Sequence, residues 1–278
     1  MHKAFEACKL QYKSLFSSVK GKTLPVLLFF FLMPLMLPFV SAAYSYGWKL
    51  EPFAYTFIIN DSIANMVVSS GAVLLFSDIA RPVGIASVSR HEVIKSSAGS
   101  IMYILSIAFL YVLYLIVISN VFLIPVISFS SEWGLGWKML AYSDIEMPSQ
   151  VFAISTHLIK QFTAIDAFVY SIISEWCLLV TIGLVCYCLN QATKKAWGVV
   201  CSISIIIFDI TIYNSLPGWW LRYSPASLAM LSTYQEEAFF YGVTPRYGAS
   251  FFIVITIVLV CLCFVIDNAF HLHRSRDG

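Results

Sequence analysis

Six stretches of about 20 consecutive apolar residues leave this chain few ways to fold, because a helix needs roughly that length to cross about 30 Å of hydrocarbon. They fall at about 24–43, 60–79, 99–121, 165–188, 197–215 and 249–268. In lipid every backbone N–H and C=O must find its partner within its own segment, so all six read as helices and not as strands. The second is the least regular, since Asn60, Asp61 and Asn65 crowd its start. Composition agrees: 59% of the 278 residues are hydrophobic and only 12% are charged, with a mean hydropathy of +0.82. A soluble domain carries about one-quarter charged residues. The expected fold is an all-α integral membrane protein forming one domain over residues 1–278, with no internal repeat and no soluble domain.

A net charge of +2 is too small to point to nucleic acid as a partner, so the placement of the charges matters more than their sum. With the N-terminus in the cytoplasm, the inner side would hold Lys3, Lys9, Lys13, Lys20, Lys22, Arg81, Arg90, Lys95, Lys194, Lys195, Arg274 and Arg276. The outer side would hold Lys49, Lys138, Lys160, Arg222 and Arg246. Twelve against five places both termini inside by the positive-inside rule. Ser41-Ala42-Ala43 would serve as a signal-peptide cleavage site, but the leader would exceed 40 residues, so an uncleaved first span is expected.

Residues 3–20 place Phe5, Cys8, Tyr12, Leu15, Phe16 and Val19 on one helical stripe, with Lys9, Lys13 and Lys20 beside it. This suits an amphipathic helix over about 1–23 lying in the inner headgroup layer; a helix packed on the rest of the protein is the alternative. Between the second and third spans about 20 residues of mixed polarity form the longer inner loop, and Pro82 could start a short helix there. The outer segments 122–164 and 216–248 are rich in Trp and Tyr, which favour the interface, so both are expected to fold back onto the outer rim.

Apparent chemical motifs are incomplete. Gly21-Lys22-Thr23 ends like a P-loop, but Phe16 stands where the first glycine belongs and no strand precedes it. His91-Glu-Val-Ile-Lys95 has lysine where a zincin needs its second histidine. Glu236-Glu237 is followed by Tyr241 where a membrane-embedded protease family carries arginine, and it lies outside the spans. His271-Leu-His273-Arg274 reads as a basic flank of the last span. Six of the seven cysteines lie within spans; those two apart, such as Cys186 and Cys188, point in different directions on a helix and read as packing residues.

Glu175 near the middle of the fourth span and Asp209 past the middle of the fifth are the polar residues that lipid penalises, at about 2.5–3.5 kcal/mol each. They mark either a polar translocation route or protonated acids bonded to a neighbouring helix. Asp61, Asp78, Asp166 and Asp267 stand near span ends and are expected to meet water.

The amphipathic N-terminal helix, six spans, long inner loop after the second and aromatic outer segment before the last together resemble the type-2 family of ABC transporter permeases. Residues 74–115, "EWGLGW" at 132–137 and "RYSPASLAML" at 222–231 are similar to stretches that recur in bacterial members. The resemblance implies the membrane subunit of a bacterial ABC transporter, an exporter, in the cell membrane and paired with an identical or related permease chain. ATP and Mg would be bound by separate cytoplasmic ATPase subunits, so this chain itself would hold no cofactor and catalyse nothing. Within the inner loop, residues 82–96 are expected to form the coupling helix, with Ile85, Val88 and Glu92 on one face, and Arg90 is expected to take part in coupling as well. The rival reading is a stand-alone secondary transporter or channel that uses Glu175 and Asp209. Peptides, lipids or glycolipids, drugs and ions all remain open as cargo.

Overall fold

The computed structural model describes residues 2–77, 79, 90–142, 154–215, 218–234 and 243–274. The described elements are helical, and the only pairing of strand type among them is a single bridge between Leu50 and Ile127. Among the described residues, four helices contain segments long and apolar enough to cross a membrane: Val19–Ser45, Ser97–Val121, Ala164–Thr193 and Pro245–Ala269. The chain is a membrane-embedded helical protein.

Helix α1 (His2–Ser17) ends at Ser18, whose hydroxyl caps the start of α2 (Val19–Ser45) by accepting from Gly21 N at 3.1 Å. Gly21-Lys22-Thr23 therefore sits in the opening turns of a membrane helix. Ser41-Ala42-Ala43 also belongs to α2, with Ala43 fully buried. Three prolines interrupt the α2 ladder, and the Tyr114 hydroxyl bonds the carbonyl of the first, Pro25, at 2.5 Å.

The second expected span departs most from its sequence boundaries. The chain forms a buried turn and a half, α3 (Ala54–Ile59), breaks at Asn60-Asp61 and restarts as α4 (Ser62–Phe76). Asp61 causes the restart by accepting from Ile63 N at 3.1 Å and Ala64 N at 2.9 Å, an N-cap that uses up two otherwise orphaned donors. The 15 residues of α4 cover only about 22 Å at 1.5 Å per residue, short of the hydrocarbon thickness. By contrast α5 (Arg90–Val121) is longer than expected, its 32 residues spanning about 48 Å. Ile85 and Val88 lie outside the described residues, as does Asp78, while Arg90 and Glu92 are described in backbone only, on the first turn of α5.

After α6 (Leu135–Tyr142) and α7 (Thr156–Gln161) come α8 (Ala164–Thr193) and α9 (Trp197–Ser215). A 3-10 turn at Gly218–Tyr223, α10 (Pro225–Ala229) and a second 3-10 turn at Leu231–Thr233 lead towards α11 (Pro245–Arg274). Contacts sort the ends of the long helices into two faces. On one, Lys20 at the start of α2 donates to Ser77 just past α4, and Asn190 near the end of α8 accepts from Gly198 at the start of α9. On the other, Leu50 after α2 pairs with Val126 and Ser128 after α5, and Trp133 donates to Phe162 before α8.

Helices in lipid gain little from hydrophobicity against one another and rely on close packing, so small residues mark the crossings. At Gly99 of α5 a Cβ would lie 2.7 Å from both the Ala4 carbonyl and the Ala7 methyl, which fixes α1 against α5. Gln11 donates to Ser100 at 2.9 Å and Tyr12 to Ser106 at 2.7 Å on the same seam. The buried stripe of α1 is therefore Ala4 and Cys8, flanked by half-buried Tyr12 and Leu15, whereas Phe5, Phe16 and Val19 of the expected stripe are exposed. Burial raises the Cys8 thiol above its ordinary value, in keeping with a neutral packing group.

Where they are described, both aromatic segments pack onto the helix bundle. Phe53, Phe57, Trp133 and Trp137 stack into one cluster, and residues 226–231 are buried throughout.

Candidate functional site

Helix α8 is the hub on which α4, α5, α9, α10 and α11 pack, and its buried face carries the polar residues that the rest of the bundle satisfies. Nearest its N-terminal end, Ser171 accepts from Asn60 Nδ2 at 3.0 Å. Asn60 also accepts from Ser232 N at 3.2 Å, so the break between α3 and α4 is tied to both α8 and the aromatic segment before α11.

One turn further on stands Glu175, which is fully buried. Its Oε2 accepts from Asn65 Nδ2 and its Oε1 contacts Ser69 Oγ, both at 3.3 Å. Ser69 donates to Asn65 Oδ1 over a shorter 2.9 Å, and Asn65 Nδ2 also caps the Ile59 carbonyl at 2.9 Å. A hydroxyl has one proton to give, and the shorter bond claims it. The donor count closes when Glu175 carries its proton and gives it to Ser69 Oγ, with Asn65 Nδ2 serving both Ile59 and the acid's other oxygen. No lysine or arginine pairs with Glu175 among the described residues. Tyr55 and Tyr111 are buried nearby, and the Tyr111 hydroxyl donates to the Val68 carbonyl at 2.6 Å.

Asp209 on α9 has a separate set of partners. Its Oδ1 accepts from Ser224 Oγ at 3.1 Å and from Ser227 Oγ. Ser224 is the N-cap of α10 and accepts from Ser227 N at 3.3 Å, so Asp209 clamps the start of that short helix to the side of α9. Glu175 and Asp209 share no hydrogen-bond partner among the described residues, and both are closed to solvent in the isolated chain. Arg90 and Glu92 stand at the opposite end of the molecule from Asn60 and Glu51, and no described contact brings them to either acid.

A third buried acid corrects the sequence reading. Asp267 is not at a wetted span end: it is 2% exposed and accepts from Ser97 of α5 and from Tyr187 of α8 at 3.0 Å. The last helix runs on to Arg274, which carries Asp267 inward, and the three-helix contact seals it. Asp61 and Asp166 do reach the surface, as N-terminal partners of α4 and α8. Beside Asp267, Cys188 and Cys263 meet at 2.9 Å between sulfurs, while Cys186 faces Phe76 instead.

Glu51, which sequence reading passed over, is also buried. Its carboxylate accepts from Gly134 N and Ser128 Oγ, both at 3.1 Å, and its carbonyl accepts from Trp137 Nε1 at 3.0 Å. A Cβ at Gly134 would lie 1.9 Å from Glu51 Oε1, which explains the glycine in "EWGLGW". Through Gly134 and Trp137 the motif docks onto the turn that carries Glu51.

Between the Glu175 group and Tyr187, about 18 Å further along α8, lie the fully buried Leu178, Leu179 and Ile182. The polar groups therefore form separate layers with apolar packing between them. Among the described residues, no three of His, Cys, Asp and Glu come together as metal ligands. These features define a multi-span helical membrane protein whose buried acids fasten helix to helix. The chain matches no protein-family model, no curated protein and no solved structure.

Proposed function

We propose that this chain is the membrane subunit of a bacterial ABC transporter of the type-2 family, acting as an exporter and driven by a separate cytoplasmic ATPase. The observation that carries the reading is the length of α5. The helix starts at Arg90, and its sequence carries Arg90, His91, Glu92, Lys95, Ser96 and Ser97 before the apolar run opens at about residue 99, so about 13 Å of helical rod precedes that run. That rod is continuous with a full membrane helix and braced by α1 at Gly99 and Ser100. A push on Arg90 and Glu92 by a soluble partner would reach the bundle without an intervening hinge.

Further support comes from the closed interior. Apolar layers separate the polar groups within one chain, which fits a pathway formed between two permease chains, identical or related. In this reading all six apolar helices cross, with α4 and α9 as the short members, the termini are cytoplasmic, and ATP and Mg belong to the partner. A stand-alone transporter or channel using Glu175 and Asp209 would need the two acids to share water, and each has its own closed set of donors.

Purification in mild detergent followed by identification of attached subunits tests the proposal. A stoichiometric P-loop ATPase is expected. Purification of the chain alone, together with ATP-independent transport in liposomes, would overturn it.

A further inference from the structure

Two of the seven cysteines meet across the contact between α8 and α11. Cys188 and Cys263 are 5% and 1% exposed, and their sulfurs stand 2.9 Å apart. Cys188 also donates to the Leu259 carbonyl, one turn before Cys263, at 3.6 Å. A thiol has a single proton to give, so with Cys188 bonded to Leu259 the proton between the sulfurs belongs to Cys263. The two side chains thus point at each other across the helix contact.

Three features set this pair apart from cysteines that only fill space. A disulfide needs about 2.05 Å between sulfurs, so bond formation asks for less than about 1 Å of approach. The surroundings are polar as well as apolar: Asp267 follows Cys263 by one turn and accepts from Ser97 of α5 and from Tyr187, the neighbour of Cys188 on α8. Cys188 also lies only about 7.5 Å along the axis from the end of α8 at Thr193, so a water-sized reactant entering there has about a turn and a half to cross.

We propose that Cys188 and Cys263 are an oxidative modification site, which hydrogen peroxide converts to a disulfide that clamps α11 to the hub helix α8. The sulfur of one cysteine, its proton lost, attacks a peroxide oxygen; the O–O bond breaks, a sulfenic acid forms, and the departing hydroxide takes up that proton as water. The sulfur of the other cysteine then displaces the sulfenic hydroxyl. The S–S bond forms, and the second thiol's proton leaves with that hydroxyl as a second water. Two thiols give up two electrons, and peroxide gains them. A larger oxidant such as a tripeptide disulfide does not fit against sulfurs so nearly closed to solvent. The inference does not depend on the transport assignment, because it uses only the sulfurs and their surroundings.

The test uses the full chain, purified in mild detergent in the reduced state and freed of reductant. It is treated with hydrogen peroxide, unfolded in the presence of a thiol-blocking maleimide, digested and read by mass spectrometry. A linked peptide pair carrying Cys188 and Cys263 is expected, and blockable thiols should fall from seven to five. The oxidised chain should also unfold at a higher concentration of denaturing detergent than the reduced one. Cys263→Ala should lose both effects and leave Cys188 as a sulfenic acid that dimedone traps. A chain in which every cysteine except Cys188 and Cys263 is alanine should link to the same extent, and serves if Cys263→Ala does not fold. Recovery of both cysteines unlinked overturns the proposal. So does equal linkage of Cys188 to Cys186 or to exposed Cys261, or an oxidised chain no harder to unfold than the reduced one.

Discussion

Replacing Asn65 should harm the fold more than replacing Glu175, although Glu175 is the acid. Asn65 is the shared partner: its amide caps the last carbonyl of α3, contacts Glu175 on α8 and accepts from Ser69 on its own helix. In Asn65→Leu the buried Ile59 carbonyl and one Glu175 oxygen lose their donors. At about 1–3 kcal/mol for each orphaned buried group the cost is about 2–6 kcal/mol. In Glu175→Leu, Asn65 keeps Ile59 and Ser69 keeps Asn65, so nothing is orphaned and a costly polar group leaves the interior. Its effect should lie within about 1 kcal/mol of zero or be stabilising, as when buried polar groups are exchanged for apolar ones. Glu175→Gln reproduces the neutral acid's pattern with one extra N–H and should fall between the two. Reversible unfolding by denaturing detergent, followed by circular dichroism, ranks the three. A Glu175→Leu variant less stable than Asn65→Leu would refute the hydrogen-bond accounting and with it the neutral state of the acid.

Other outcomes follow from single contacts. Gly134→Ala should lower stability by about 1–3 kcal/mol by overpacking against Glu51, measured as a lower melting temperature. Asp209→Asn should be nearly silent, because one acceptor oxygen remains for Ser224 and Ser227, whereas Asp209→Leu should cost about 1–3 kcal/mol and raise proteolysis near residues 218–234. Ser96→Pro should break the rod below the membrane segment of α5 and abolish transport-stimulated ATP hydrolysis while leaving insertion and assembly intact. In a cysteine-free background, a cysteine at exposed Ser45 should react with an impermeant reagent added to intact cells and one at exposed Thr193 should not.

Much of this architecture is legible because it depends on length: the first, third, fourth and sixth spans need only be apolar and long enough. The second span shows where that logic stops. Counting through Asn60-Asp61 hides a helix break that the aspartate's capping role could have revealed, since Asp at an N-cap is a local signal. The burial of Asp267 escapes the sequence for a different reason. Its partners, Ser97 and Tyr187, are 170 and 80 residues away, and no periodicity records such a contact. On α1 the hydrophobic stripe points to Phe5 and Phe16 as well as Cys8, but close approach to Gly99 selects small residues, so Ala4 and Ala7 meet α5 there and the phenylalanines stay exposed. The buried position of Glu175 was legible from its cost in lipid; the neutral partners that relieve the cost were not.

The transport assignment turns on what grips the protruding end of α5. A photoreactive residue in place of Glu92, activated in living cells, captures whatever sits there, and the adduct is identified by mass spectrometry. Expected is a soluble P-loop ATPase, crosslinked in a yield that changes when its nucleotide is trapped. Crosslinks only to lipid or to other parts of this chain, with transport still active, would contradict the assignment.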